Sequence, residues 1–373
     1  MGGLTSIYLD VFRFSAAIGV FLFHSEHLPV SSHVLPYVYF NHQLVIIFFV
    51  LSGYVIAASA DRPDRTLANY SADRLARLYS VVVPALFLTY LLDAIGSRIS
   101  PEVYATVNPH WQSIRLAANL VYCQQLWFLC LNPSSNNPFW SLGYEFWYYV
   151  FFGVFIFVRT NRIKILWLTA LTLLVGPKIL LLAPAWAAGA LAYYAGKKFS
   201  CRRLPGLFLF VLTGLVVIGC LVFQKQLGLD NGKVGRYPLY YSYNFIGDDL
   251  FALMVSANFF ACCLFSRHLA MDLEAYRITK FIRWLAGHTF SLYLYHVPLL
   301  FFMVAVTRYN TRSPVEVMGA ICATLVIIVG LSKITEEQYP AFRAYARRFM
   351  ARKLEKIHSR AVQSTWLTHP GKN

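Results

Sequence analysis

Ten stretches of this chain, at about 7–25, 42–60, 78–96, 139–158, 164–177, 179–196, 205–223, 248–266, 284–306 and 315–334, are apolar over lengths that approach or reach the thickness of a bilayer. A backbone inside hydrocarbon has to satisfy its own hydrogen bonds, which leaves helices or a closed barrel, and runs this long select helices. The expected fold is all-α, a polytopic transmembrane helical bundle of about ten spans. Composition agrees: 58% of the residues are hydrophobic and 13% charged, too few charges to clothe a soluble domain of 373 residues.

An eleventh apolar stretch, 115–131, decides the orientation, because counting it as a span would move every later loop to the other side. Treated as non-spanning, it leaves 24 Lys and Arg on one side of the membrane and 8 on the other. Basic residues stay cytoplasmic during insertion, so both termini are expected in the cytoplasm. The stretch itself, RLAANLVYCQQLWFLCL, is then expected to be re-entrant or interfacial, which is tolerated only when it packs against protein. A reporter fused near Asn132 should read as non-cytoplasmic; a cytoplasmic reading would reverse this topology.

The same count explains the net charge of +16, which follows the loops and the tail, so no nucleic-acid partner is expected. The first run has neither a basic leader nor a small-residue cleavage site and reads as an uncleaved span. Residues 5–334 form one membrane-embedded domain. The basic tail, 335–373, contains AFRAYARRFMARKLEKIHSR, expected to lie as an amphipathic helix on the anionic inner leaflet. The aromatic loop 224–247 suits either an interfacial belt or a sugar-facing lid. Seven cysteines lack metal-ligand spacing, so free thiols and no metal are expected.

Ionisable residues inside spans are costly and point to a protein interior or a polar path. Arg13 and His24 in YLDVFRFSAAIGVFLFH are eleven positions apart, which on a helix means about 16 Å along the axis and only about 20° around it. Asp10, three positions before Arg13, can pair with it. Arg74 and Arg77, three apart, suit a phosphate-bearing ligand, though ordinary positive-inside charge explains them equally. Ser52 and Gly53 interrupt a bulky run and permit close helix contact. In NNPFWSLGYEFWYYVFF, Asn137 and Pro138 announce a helix start, and Glu145 follows about 10 Å into the span. His296 precedes Pro298, which frees a carbonyl near Leu294 that His296 can satisfy.

Together and in this order, LDVFRFSAAIGVFLFH, FFVLSGYVI, the Arg74–Arg77 pair, PFWSLGYEFWYY and SLYLYHVP resemble the acyltransferase-3 family of integral membrane acyltransferases. The resemblance covers residues 5 to 334. It implies transfer of an acyl group, often acetyl, from cytoplasmic acyl-CoA to a hydroxyl of a sugar or cell-surface polysaccharide precursor, in the cell inner membrane. It implies catalytic roles for His24, Arg13 and Glu145, a cofactor end at Arg74, Arg77, Ser52 and Gly53, and an acceptor side at Trp140 and His296. The partners it implies are acyl-CoA, a glycan or glycolipid acceptor, and membrane lipid. Direct transfer with His24 as base and transfer through an acyl-histidine both remain open. The rival reading from another class is a transporter or flippase of glycan-lipid intermediates, against which the missing internal repeat weighs.

Overall fold

A computed structural model describes residues 3–27, 41–63, 65–224, 226–227, 237–269, 276–350 and 352. They form α1 (Gly3–His27), α2 (Asn41–Ala60), α3 (Leu67–Ile99), α4 (Gln112–Leu120), α5 (Trp140–Phe157), α6 (Asn161–Val175), α7 (Pro177–Leu181), α8 (Ala183–Lys198), α9 (Arg203–Val222), α10 (Phe245–Ser266), α11 (Arg277–Ala286), α12 (Thr289–Thr307), α13 (Pro314–Ile334) and α14 (339–350). The chain is an all-helical bundle, and among the described residues eight helical segments are long and apolar enough to cross a membrane. About ten had been expected, and the two that fall short are α5 and α6. Tyrosines, tryptophans and Glu145 make α5 less apolar, while α6 has only 15 residues. Residues 158–160 join these two helices directly, so they add or remove crossings as a pair and leave the number of spans even.

Arg74 and Arg77 precede the third apolar stretch, 78–96, but belong to the same helix: α3 is one helix of 33 residues, about 50 Å long. Thr66 caps it by accepting the Asn69 N–H, and the helix runs on through Pro84. It extends well past a bilayer's core, so the arginines stand on the foot of the helix that also carries the outer contacts.

The bundle is tied together at two places. Between α2 and α8 the backbones nearly touch: a Cβ on Gly53 would lie 1.9 Å from the Trp186 carbonyl oxygen, and one on Gly189 equally close to that of Val50. Small residues at such crossings let van der Waals contact replace the hydrophobic effect that lipid cannot supply. On the other side, α12 packs on α1, α3 and α13, while α10 lies against α8, α9 and α2. Helix α9 buries only Gly206 and Val217 and turns Phe208, Leu215 and Ile218 outward, the pattern of a lipid-facing helix.

The stretch 115–131 does not cross. Its helical part, α4, has 9 residues, and the chain then runs in turns to Asn136. Its depth can be read against α12. Ser100, at the end of α3, donates to the Ala305 carbonyl at 3.0 Å, whereas Asn136 donates to the Leu294 carbonyl at 2.8 Å. Eleven positions separate those carbonyls, so the segment dips about 16 Å below the end of α3. This is the re-entrant arrangement expected, and the protein satisfies its polar groups. Asn119 donates to Leu131 O at 2.7 Å, Gln125 to Asn132 at 2.8 Å, and the Ser135 amide and hydroxyl to Asp93 at 2.9 and 2.8 Å. The Lys178 ammonium, fully buried, donates to Gln125 at 2.8 Å and to Leu129 O. All seven cysteines are free, and Cys123 and Cys130 lie in this non-helical segment. Much of the loop 224–247 and most of the basic tail lie outside the described residues.

Candidate active site

A cavity of about 470 Å³ opens where α1, α2, α3, α5 and the α11–α12 corner converge. Its wall holds four arginines, Arg13, Arg74, Arg77 and Arg283, and two carboxylates, Asp10 and Glu145. Asp10 lies 3.3 Å from both Arg13 and Arg283, sharing one negative charge between two guanidiniums. Arg77 pairs at 2.6 Å with Glu336, a buried residue whose other oxygen accepts the Ser291 amide at 2.8 Å. Arg77 is also flanked by the rings of Phe290 and Tyr339, at 5.4 and 5.8 Å. Arg74 forms no ion pair, and its buried Nε has no hydrogen-bond partner. The cavity is therefore cationic, with an unsatisfied guanidinium donor in its wall, which suits an anionic ligand.

Glu145 is held by a relay across three helices. Trp186 Nε1 donates to Ser52 Oγ at 3.1 Å, Ser52 donates to the Tyr149 hydroxyl at 3.2 Å, and Tyr149 donates to Glu145. Each donor leaves the next oxygen committed, so the carboxylate is oriented by packing that starts on α8. Ser52 thus belongs to the cavity wall, while Gly53, one residue on, faces α8 and not the cavity.

Tyr293 lines the cavity, and its hydroxyl sits 2.8 Å from Ser141 Oγ and donates to Pro138 O at 2.9 Å. His296 follows three positions later, about one helical turn beyond. Its Nε2 lies 3.1 Å from Nδ1 of His24, with the two rings 5.0 Å apart. His24 was expected near the outer end of the bundle. It stands level with His296, the eighth residue of α12, because α1 ends deeper than α3 and α12 do.

Of the residues singled out from sequence, Arg13, Arg74, Arg77, Ser52 and Glu145 share this cavity, and His24 pairs with His296 outside its wall, one turn along α12 from Tyr293. Trp140 does not line the cavity. Its indole stacks on His42 at 5.7 Å and on Tyr241 at 4.3 Å, and His42 in turn bonds Asp248 at 2.9 Å, a buried polar pair that sequence reading passed over. Burial pushes the Tyr241 phenol above its ordinary range, so it serves the Asn132 amide as a neutral acceptor.

Four wall residues were also missed. Tyr149 had a legible signal, since it sits four positions after Glu145 on one helical face. Arg283 was counted only as cytoplasmic charge, and neither Tyr293 nor Tyr339 had any signal in the sequence. The tail was expected on the lipid surface. Its described part lines the cavity through Tyr339 and is pinned to α3 by Arg343 and Arg347, both bonded to Asp73 at 2.8–2.9 Å beside Arg65, while Phe342, Tyr345 and Phe349 stay exposed. Among the described residues, no cluster of three or more His, Cys, Asp or Glu could hold a metal ion.

Comparison with known proteins places this geometry in context. The model of a family described as an acyltransferase domain matches residues 6–333. The O-acetyl transferase of Shigella phage Sf6 is 29% identical over 155 residues, which cover 39% of this chain and 44% of that relative. The chain thus spans under half of that curated protein's length. No solved structure matches.

Proposed function

Because the chain belongs to the acyltransferase-3 family of integral membrane acyltransferases, we propose that it moves an acyl group, acetyl in the simplest case, from cytoplasmic acyl-CoA to a hydroxyl of a glycan or glycolipid. The observation that carries this reading is the cationic cavity whose wall residue Tyr293 stands one turn of α12 from His296, the partner of His24. Arg74, Arg77, Arg13 and Arg283 match the phosphates of a CoA thioester, and the apolar and aromatic lining around Phe48 and Tyr293 matches its uncharged arm.

The chemistry needs a base and a short proton path. The acceptor hydroxyl gives its proton to His24 as its oxygen attacks the thioester carbonyl carbon, forming the C–O bond. The tetrahedral intermediate collapses with cleavage of the C–S bond, and the departing thiolate takes the proton from His24 to leave as CoA thiol. An arginine or hydroxyl donor near the carbonyl oxygen would stabilise its developing charge. Glu145, fixed by Tyr149, orients the donor-side groups. The family resemblance gives the acceptor as a sugar hydroxyl reached from the outer side, through the polar region around His42 and Asp248.

Arg74→Met tests the donor end. Purified protein in lipid, given acetyl-CoA and a glycan acceptor, should release CoA thiol with a KM for acetyl-CoA raised about 10-fold or more, as expected for loss of a charge-assisted phosphate contact. The variant's kcat should change far less. An unchanged KM would remove Arg74 from the donor site, and the absence of any CoA release by the unaltered protein with a range of glycan acceptors would overturn the acyl-CoA reading.

A further inference from the structure

We propose that His296 is a positioning residue that holds His24 in the tautomer whose Nε2 is the basic nitrogen, an inference resting on the reading of His24 as the base. His296 is fully buried in α12. The obvious structural task for it would be to satisfy the carbonyl that Pro298 frees on Leu294. That carbonyl is already taken: Asn136 Nδ2 donates to it at 2.8 Å. The imidazole therefore serves something else.

The proton positions follow from what each neighbour can accept. His296 Nδ1 lies 3.0 Å from Leu292 O. A carbonyl accepts and never donates, so Nδ1 carries the proton and Nε2 of the neutral ring presents its lone pair. That lone pair is 3.1 Å from His24 Nδ1, which also lies 2.9 Å from Val20 O. Both neighbours are acceptors, so His24 Nδ1 carries the proton and Nε2 of neutral His24 is unprotonated.

Val20 O also accepts the main-chain N–H of His24 within α1, so that carbonyl is shared with the helix. His296 supplies the lone pair not shared with the helix. When His24 takes the hydroxyl proton, its Nδ1–H bond to His296 becomes charge-assisted and stabilises the imidazolium. A neutral imidazole does this without the cost of placing a carboxylate at that depth.

Solid-state nitrogen NMR of histidine-labelled protein in lipid reads the tautomer directly, with His24→Gln used to assign the His24 signals. The expected result is a protonated Nδ1 and bare Nε2 for His24, lost or mixed in His296→Phe. In the CoA-release assay, His296→Phe should lose about 10²-fold in kcat with KM for acetyl-CoA changed less than about 2-fold. His296→Gln, whose side-chain oxygen can accept the same hydrogen bond, should recover most of that loss. Thermal unfolding of each variant in lipid provides the folding control.

A protonated Nε2 in the unaltered protein, or equal losses in the Phe and Gln variants, would overturn the proposal. Full activity of folded His296→Phe would do the same. Failure of the underlying reading looks different: His24→Gln would then retain transfer while the NMR tautomer stayed as described.

Discussion

Replacing His24 with glutamine should lower acyl transfer by about 10²–10⁴-fold, the usual contribution of a general base. Glutamine keeps the volume and can still donate toward Val20 O and His296, so the α1–α12 contact survives while the titrating nitrogen is gone. The loss should fall on kcat, with KM for acetyl-CoA nearly unchanged, because the cavity proposed for the donor does not have His24 in its wall. Steady-state CoA release with a saturating acceptor measures it. Undiminished kcat in the folded variant would require another base, and the adjoining polar pair is His42–Asp248.

Gly53→Ala carries the second large effect, on assembly more than on chemistry. The added Cβ would meet the Trp186 carbonyl oxygen at 1.9 Å, a backbone atom that cannot rotate away, so α2 and α8 must separate. Overpacking of this kind costs about 1–3 kcal/mol where neighbours can yield. The penalty is expected at or above that range here, because both partners are main chain. The midpoint of thermal unfolding in lipid should fall, and Gly189→Ala should reproduce the fall from the other helix. The fraction that remains folded should keep its KM for acetyl-CoA. A raised KM with unaltered stability would return Gly53 to the donor site, the role its motif implies.

These two residues mark how far the sequence could be read. His24 and Arg13 were legible because a charge in an apolar run is expensive wherever the helix packs, so its presence already signals a polar interior. Gly53 was ambiguous for a physical reason. A glycine beside a serine marks close backbone approach, but whether a helix or a ligand makes that approach depends on what lies opposite. Here it is Trp186, 133 positions away. Trp140 is similar: an interfacial tryptophan is equally suited to a sugar and to the ring stack with His42 and Tyr241 that it joins.

Depth was the other illegible quantity. Spacing placed His24 eleven residues after Arg13, but its level relative to α12 follows from helix ends and tilts that no local pattern encodes. The re-entrant 115–131 stretch was deduced from charge balance alone. Its load-carrying contacts, Asn136 on the Leu294 carbonyl and Ser135 on Asp93, join segments 158 and 42 positions apart. The docking of the tail on α3 was not legible, because an amphipathic basic helix suits a lipid surface and an acidic docking point equally well. Asp73, buried on α3 among three arginines, supplies the latter.

The sequence by itself determined the class of molecule: apolar run length imposed a helical membrane bundle, and five ordered motifs its family. These are local or summed properties, which every helix carries wherever it packs. Only the tertiary structure decided that four arginines share one cavity, that Tyr339 from beyond the last span joins its wall while Glu336 pairs with Arg77, and that His24 meets His296. Those are pairings between side chains as many as 272 positions apart, and their energies exist only once the helices are brought within hydrogen-bonding distance.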